Sequence, residues 1–167
     1  MTTKELFHEA QGLFIKGKTE ESIERFTRAL ESGYDPKASH LSRGAAYLQL
    51  NETDKAIDDF DSIIEGDKSY ERAFYYRGVA LMTRGDYNQA VADLSHAIEL
   101  KPDRGISYFA RGISLAELGK DKEAAEDFKT AMLYADVEVQ KLADSFGLWR
   151  TKFEKYFNKY YDSLAHQ

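Results

Sequence analysis

The run Gly12-Leu13-Phe14-Ile15-Lys16-Gly17-Lys18-Thr19 fits the pattern G-x-x-x-x-G-K-[ST]. In a phosphate-binding loop, backbone amides of such a run cradle the phosphates, the lysine reaches the terminal ones, and the threonine holds magnesium. That chemistry needs a strand before the motif and a helix opening at its end. Thr3 to Ile15 reads as helix instead, and no buried strand ending in aspartate follows. Asn51-Glu52-Thr53 fits a glycosylation sequon, but reads better as a turn in which Asn51 ends one helix and Thr53 caps the next. His8, His40, His96 and His166 form no i, i+4 pair or cluster of metal-ligand spacing. No serine, histidine and carboxylate pattern suggests an activated nucleophile. These residues imply no enzyme, no cofactor and no metal.

Composition narrows the class. The 167 residues are 43% hydrophobic and 31% charged, which suits a folded chain with a sizeable core. There is no cysteine, which excludes disulfides, thiolate metal sites and a cysteine nucleophile. Two prolines in the whole chain point to long helices. The net charge of −6 speaks against non-specific nucleic-acid binding. It is uneven, with 19 basic and 27 acidic side chains in residues 1–145 against 4 and 2 in 146–167. No apolar run is long enough to span a membrane. The N-terminal residues carry no apolar run with a cleavage site, so the expected setting is cytoplasmic.

The elements that position these residues repeat. Phe26, Phe60, Leu94 and Phe128 are each 34 residues apart. The same interval relates Ala10, Gly44, Gly78 and Gly112, then Ser22, Ala56, Ala90 and Ala124, then Ala29, Ile63, Ala97 and Ala131. Gly17, Asn51, Gly85 and Gly119 form a further column. The repeat therefore accounts for Gly17 as a helix end, and Gly12 joins Ala46, Ala80 and Ser114 in a column of small residues. Each unit reads as two helices. In the third, Phe74, Tyr75, Gly78, Leu81 and Met82 follow helical spacing, Gly85 ends the helix, and Asp86 with Gln89 forms a capping-box pattern for the next. Asp35-Pro36 opens the second unit as cap and first helical residue. Glycine in mid-helix costs about 1 kcal/mol relative to alanine. Three at one phase imply a neighbouring helix too close for a side chain.

These columns resemble the tetratricopeptide repeat, a 34-residue helix–turn–helix. The best matches are Arg43-Gly44-Ala45-Ala46-Tyr47, Arg77-Gly78-Val79-Ala80-Leu81 and Arg111-Gly112-Ile113-Ser114-Leu115. The first unit departs from the pattern, with Ala10 for glycine, Ser22 for alanine and Tyr34 where proline would stand. The resemblance implies an all-α, right-handed α-solenoid of four units, 3–36, 37–70, 71–104 and 105–136, with a C-terminal capping helix. It also implies protein–protein contacts made without catalysis.

Helical phase, combined with the family's geometry, projects a concave groove presenting Phe7, Gln11, Leu41, Ala45, Arg72, Tyr75, Tyr76, Val79, Phe109 and Ile113. Apolar residues on such a face suggest a binding surface for an apolar or aromatic-containing peptide. Some family members clamp acidic chaperone C-termini with basic and amide side chains. Here the clamp places hold Phe7, Gln11, Ser42, Arg72 and Tyr76, of which only Arg72 is basic, so that ligand is not expected. Arg43, Arg77 and Arg111 recur with Asp59, Asp93 and Asp127, which reads as repeated ion pairs.

Residues 137–167 leave the repeat. Phe146, Trp149, Phe153, Tyr156, Tyr160 and Leu164 form an aromatic stripe at 3- and 4-residue spacing. It suits a cap on the last unit, or a segment that fills the groove of its own or a second copy and so joins two chains in a homodimer. A small acidic secretion-type chaperone is a weaker reading, because the first unit begins almost at once.

Overall fold

A computed structural model describes residues 2–134. Among them there are eight α-helices and no strand. The chain divides at Gly85 into two compact units, 1–84 and 85–167.

The first unit holds α1 (Thr3–Ile15), α2 (Thr19–Glu31), α3 (Pro36–Gln49), α4 (Thr53–Gly66) and α5 (Glu71–Arg84). Each helix packs on the next in the chain, and α3 also touches α1 and α5. The helices start and stop for local reasons. Thr2 and Glu5 form a reciprocal capping box at α1. Asp35 accepts from the Ala38 amide, with Pro36 at the first helical position of α3. Gly17 and Asn51 end α1 and α3 at φ values of 74° and 60°, the left-handed conformation that closes a helix. The second unit holds α6 (Tyr87–Leu100), α7 (Gly105–Glu117) and α8 (Asp121–Leu133), again with consecutive helices in contact.

Two caps differ from expectation. Glu52, not Thr53, is the cap of α4, and Asp86 caps α6 without a capping hydrogen bond from its side chain. The turns into α2, α4 and α8 are tight and closed by the backbone. The amides of Lys18, Glu52 and Lys120 reach back to the carbonyls of Leu13, Tyr47 and Leu115.

The 34-residue columns are the core. Phe26, Phe60, Leu94 and Phe128 are buried, as are the small residues at the other recurring positions of the second helices. A β-carbon on Gly44 would run into Phe60, and one on Gly112 would stand 2.8 Å from Phe128 Cε1. These glycines are the places where the large residue of one helix meets the backbone of its neighbour. Phe60 and Phe128 each pack against the glycine on the first helix of their own helix pair.

Candidate binding hollow in the first unit

Four helices of the first unit line an open hollow of about 270 Å³. From α1 come Gln11, Phe14 and Ile15, and from α3 come Leu41, Ser42 and Ala45. Arg72 and Tyr76 of α5 supply a third wall, and the Phe26 ring contributes from α2. Helical spacing explains the grouping, because residues three or four apart share a face. Gln11 with Phe14 and Ile15, Leu41 with Ala45, and Arg72 with Tyr76 each obey it.

Much of the lining is held in place. The Tyr76 ring stacks on Phe60 at 5.7 Å and meets Tyr75 edge-on at 5.1 Å. Gln11 Oε1 lies 3.0 Å from His8 Nδ1. Ile15 is 83% exposed, an unusual position for an isoleucine and one that extends the apolar rim outward.

Five of the projected groove residues therefore come together: Gln11, Leu41, Ala45, Arg72 and Tyr76. The other five, which helical phase projects onto an open wall, are buried. Phe7 packs on Phe26 at 5.5 Å and on Tyr34 at 4.8 Å, in the core between α1 and α2. Tyr75 is 1% exposed, and Val79 is also buried. In the second unit Phe109 packs on Phe128 at 5.6 Å, and Ile113 is fully buried. Phase alone places a residue on a face without showing whether a neighbouring ring covers it. Phe14 and Ile15, three and four residues after Gln11, join the lining beyond the residues that helical phase projects. The tail residues Phe146, Trp149, Phe153, Tyr156 and Tyr160 lie outside the described residues.

Two of the three arginine and aspartate column pairs are ion pairs inside helix pairs, and the third arginine pairs with a neighbouring helix. Arg43 donates to Asp59 from Nε (2.9 Å) and Nη2 (2.6 Å), and from Nη1 to Thr27 Oγ1. His40 Nδ1 lies 2.7 Å from the same carboxylate. Arg111 repeats the arrangement with Asp127 at 2.7 and 2.8 Å, and with Ser95 in place of Thr27. Arg77 pairs with Asp61 at 2.7 Å.

The phosphate-loop pattern is cut in two by the fold. Gly12 lies inside α1, Gly17 closes it, and Thr19 is buried in α2 with its hydroxyl donating to Gln49. Lys18 pairs with Glu21 at 3.0 Å. Among the described residues no group of three histidines or carboxylates is placed to hold a metal ion. No helix among them is long and apolar enough to cross a membrane.

Residues 9–71 match one tetratricopeptide repeat profile and residues 71–104 a second. The chain belongs to the tetratricopeptide repeat family. Its all-α repeat fold is shared with solved structures. That of MamA from residue 41 onward, from Desulfovibrio magneticus RS-1, superposes with a TM-score of 0.74 at 18% identity, covering 80% of this chain and 75% of that one. A crystal structure of MamA gives 0.72 at 22% identity over 84% and 81% of the two chains. At these identities the likeness is one of fold. No curated protein matches the sequence. The tetratricopeptide fold is a protein-interaction scaffold, and this chain carries it.

Proposed function

We propose that this tetratricopeptide protein is a non-catalytic, cytoplasmic scaffold that binds an apolar or aromatic-containing peptide segment, and that the hollow between α1, α3 and α5 is where it does so. On this reading the helices pair as four units, 3–36, 37–70, 71–104 and 105–136, with 137–167 as a C-terminal segment. The observation that carries the proposal is the hollow itself. It is lined mainly by carbon, walled by a stacked tyrosine, and edged by only a few polar groups, the pattern of a recognition site. Buried apolar contact would supply affinity, and Gln11 and Ser42 would hydrogen-bond a passing backbone.

The test is selection of random 12-residue peptides displayed on phage against the immobilised full chain. The reading expects apolar or aromatic peptides to be enriched, and their binding to be lost in Ala45→Arg, which fills the hollow, at an unchanged melting temperature. No enrichment, or enrichment indifferent to Ala45→Arg, would overturn it.

A second reading rests on charge. The basic, aromatic residues 146–167 belong to a chain whose remainder is acidic, so the tail of a second copy is a possible occupant. That reading requires a concentration-dependent dimer in sedimentation equilibrium.

A further inference from the structure

The first unit contains six arginines. Five are paired: Arg25 with Glu9, Arg28 with Glu24, Arg43 with Asp59, Arg77 with Asp61 and Arg84 with Asp54. Arg72 makes no hydrogen bond or ion pair among the described residues, and it is the one that lines the hollow. Acidic side chains outnumber basic ones in this part of the chain, so a guanidinium left without a carboxylate at the edge of an apolar hollow is a specific feature. An arginine binds a carboxylate through two parallel hydrogen bonds, and such pairs are among the stronger polar contacts.

We propose that the hollow reads a two-part element inside a protein segment: one large apolar side chain, and an aspartate or glutamate one or two residues away that pairs with Arg72. This rests on the peptide-binding reading above and specifies its ligand. The size of the hollow sets the first part. About 270 Å³ lies just below the range for drug-sized ligands and suits a single anchoring side chain. The lining sets the second. Arg72 and Tyr76 are four residues apart, about 6 Å along α5. An extended segment advances about 3.3 Å per residue, so a side chain against Tyr76 leaves its first or second neighbour level with Arg72. A single guanidinium satisfies a single carboxylate. Gln11 and Ser42 offer amide and hydroxyl groups that match a continuing backbone, which favours an internal acidic side chain over a chain end.

The peptides selected on the full chain provide the test. The expected consensus pairs an aromatic or large aliphatic residue with Asp or Glu at one- or two-residue spacing. In titrations with synthetic versions, changing that acid to its amide, or Arg72→Ala in the protein, should each weaken binding about tenfold or more, with no further loss when combined. Arg72→Lys should recover part of the affinity. Apolar peptides that bind the hollow without an acid, and ignore Arg72→Ala, would overturn this inference and leave the peptide-binding reading standing. Acid required only as a free C-terminal carboxylate would overturn the internal element. A dimer of the full chain that dissociates in Arg72→Ala would make a second copy the occupant and overturn it as well. No selected peptide at all would overturn both readings.

Discussion

A β-carbon on Gly44 would stand 2.5 Å from Cε1 of the fully buried Phe60. No real side chain tolerates that distance, and the ring has nowhere to retreat, because Tyr76 stacks on it. Gly44→Ala gains about 1 kcal/mol of helix propensity and forces overpacking that costs about 1–3 kcal/mol. The expected net result is a lower urea midpoint. Phe60→Leu in the same chain should relieve the clash, so the double variant should be more stable than the sum of the two single effects. Additive losses would show that the two residues do not meet as described.

Gly12 shares α1 with the lining of the hollow, yet a β-carbon there meets nothing within 4 Å. The same substitution should therefore have the opposite sign. Gly12→Ala is expected to stabilise by about 1 kcal/mol, read as a rise in the thermal midpoint. A fall would mean that another part of the chain occupies that space.

Asp59 is the hub of the pair between α3 and α4. Its side chain is 4% exposed and accepts two hydrogen bonds from Arg43, whose own side chain is largely covered. Removing the carboxylate leaves a guanidinium out of water without its counter-charge, a loss of about 3–5 kcal/mol in buried pairs. Asp59→Ala should fall near that range. Removing both charges, as Arg43→Leu with Asp59→Leu, should cost less than Asp59→Ala alone. Chemical denaturation of the three variants tests both statements.

The repeat was legible in the sequence because close packing imposes the same side-chain size at the same place in every unit. Phe60 against Gly44 and Phe128 against Gly112 are two instances of one constraint. The caps were less legible. Asp86 and Gln89 have the right types at the right spacing, but the Asp86 side chain makes no capping hydrogen bond at α6. The site was half legible. Helical phase brought Leu41, Ala45, Arg72 and Tyr76 to one side, but could not show that Tyr75, next to Tyr76, turns into the core. Nor does sequence distinguish Arg43, held by Asp59, from Arg72, which has no such partner among the described residues. That difference depends on which carboxylates the fold brings within reach.

Ser39 and Ser107 occupy the same place two repeats apart, and only one of them is satisfied. Ser39 Oγ donates to the Tyr34 carbonyl at 3.0 Å. Ser107 is completely buried and its hydroxyl has no hydrogen-bond partner among the described residues. An unmet buried polar group costs about 1–3 kcal/mol. Ser107→Ala should raise the thermal midpoint, whereas Ser39→Ala should lower it. A destabilised Ser107→Ala would imply that a bound water satisfies the hydroxyl.

Lys37, at the start of α3, pairs with Asp67 in the turn before α5 and sits 5.6 Å over the Tyr70 ring. Asp67 also accepts from the Ser69 amide at 3.0 Å and from its hydroxyl at 2.6 Å. The Lys37 ammonium first, and then Ser69, pull the Asp67 carboxyl from 3.8 down to about 2. A carboxyl with a lowered folded-state pKa stabilises the fold above its unfolded value and loses that contribution as pH falls through the folded one. The same pairing raises the Lys37 pKa above 10.5, so that partner stays charged throughout the acid range. Asp67→Asn should therefore lower the melting temperature by a constant amount from pH 5 to pH 8. The gap from the parent chain should narrow between about pH 4 and pH 2, where the parent also loses the charge. A gap that persists unchanged at pH 2 would assign the effect to the Ser69 hydrogen bonds instead of the ion pair.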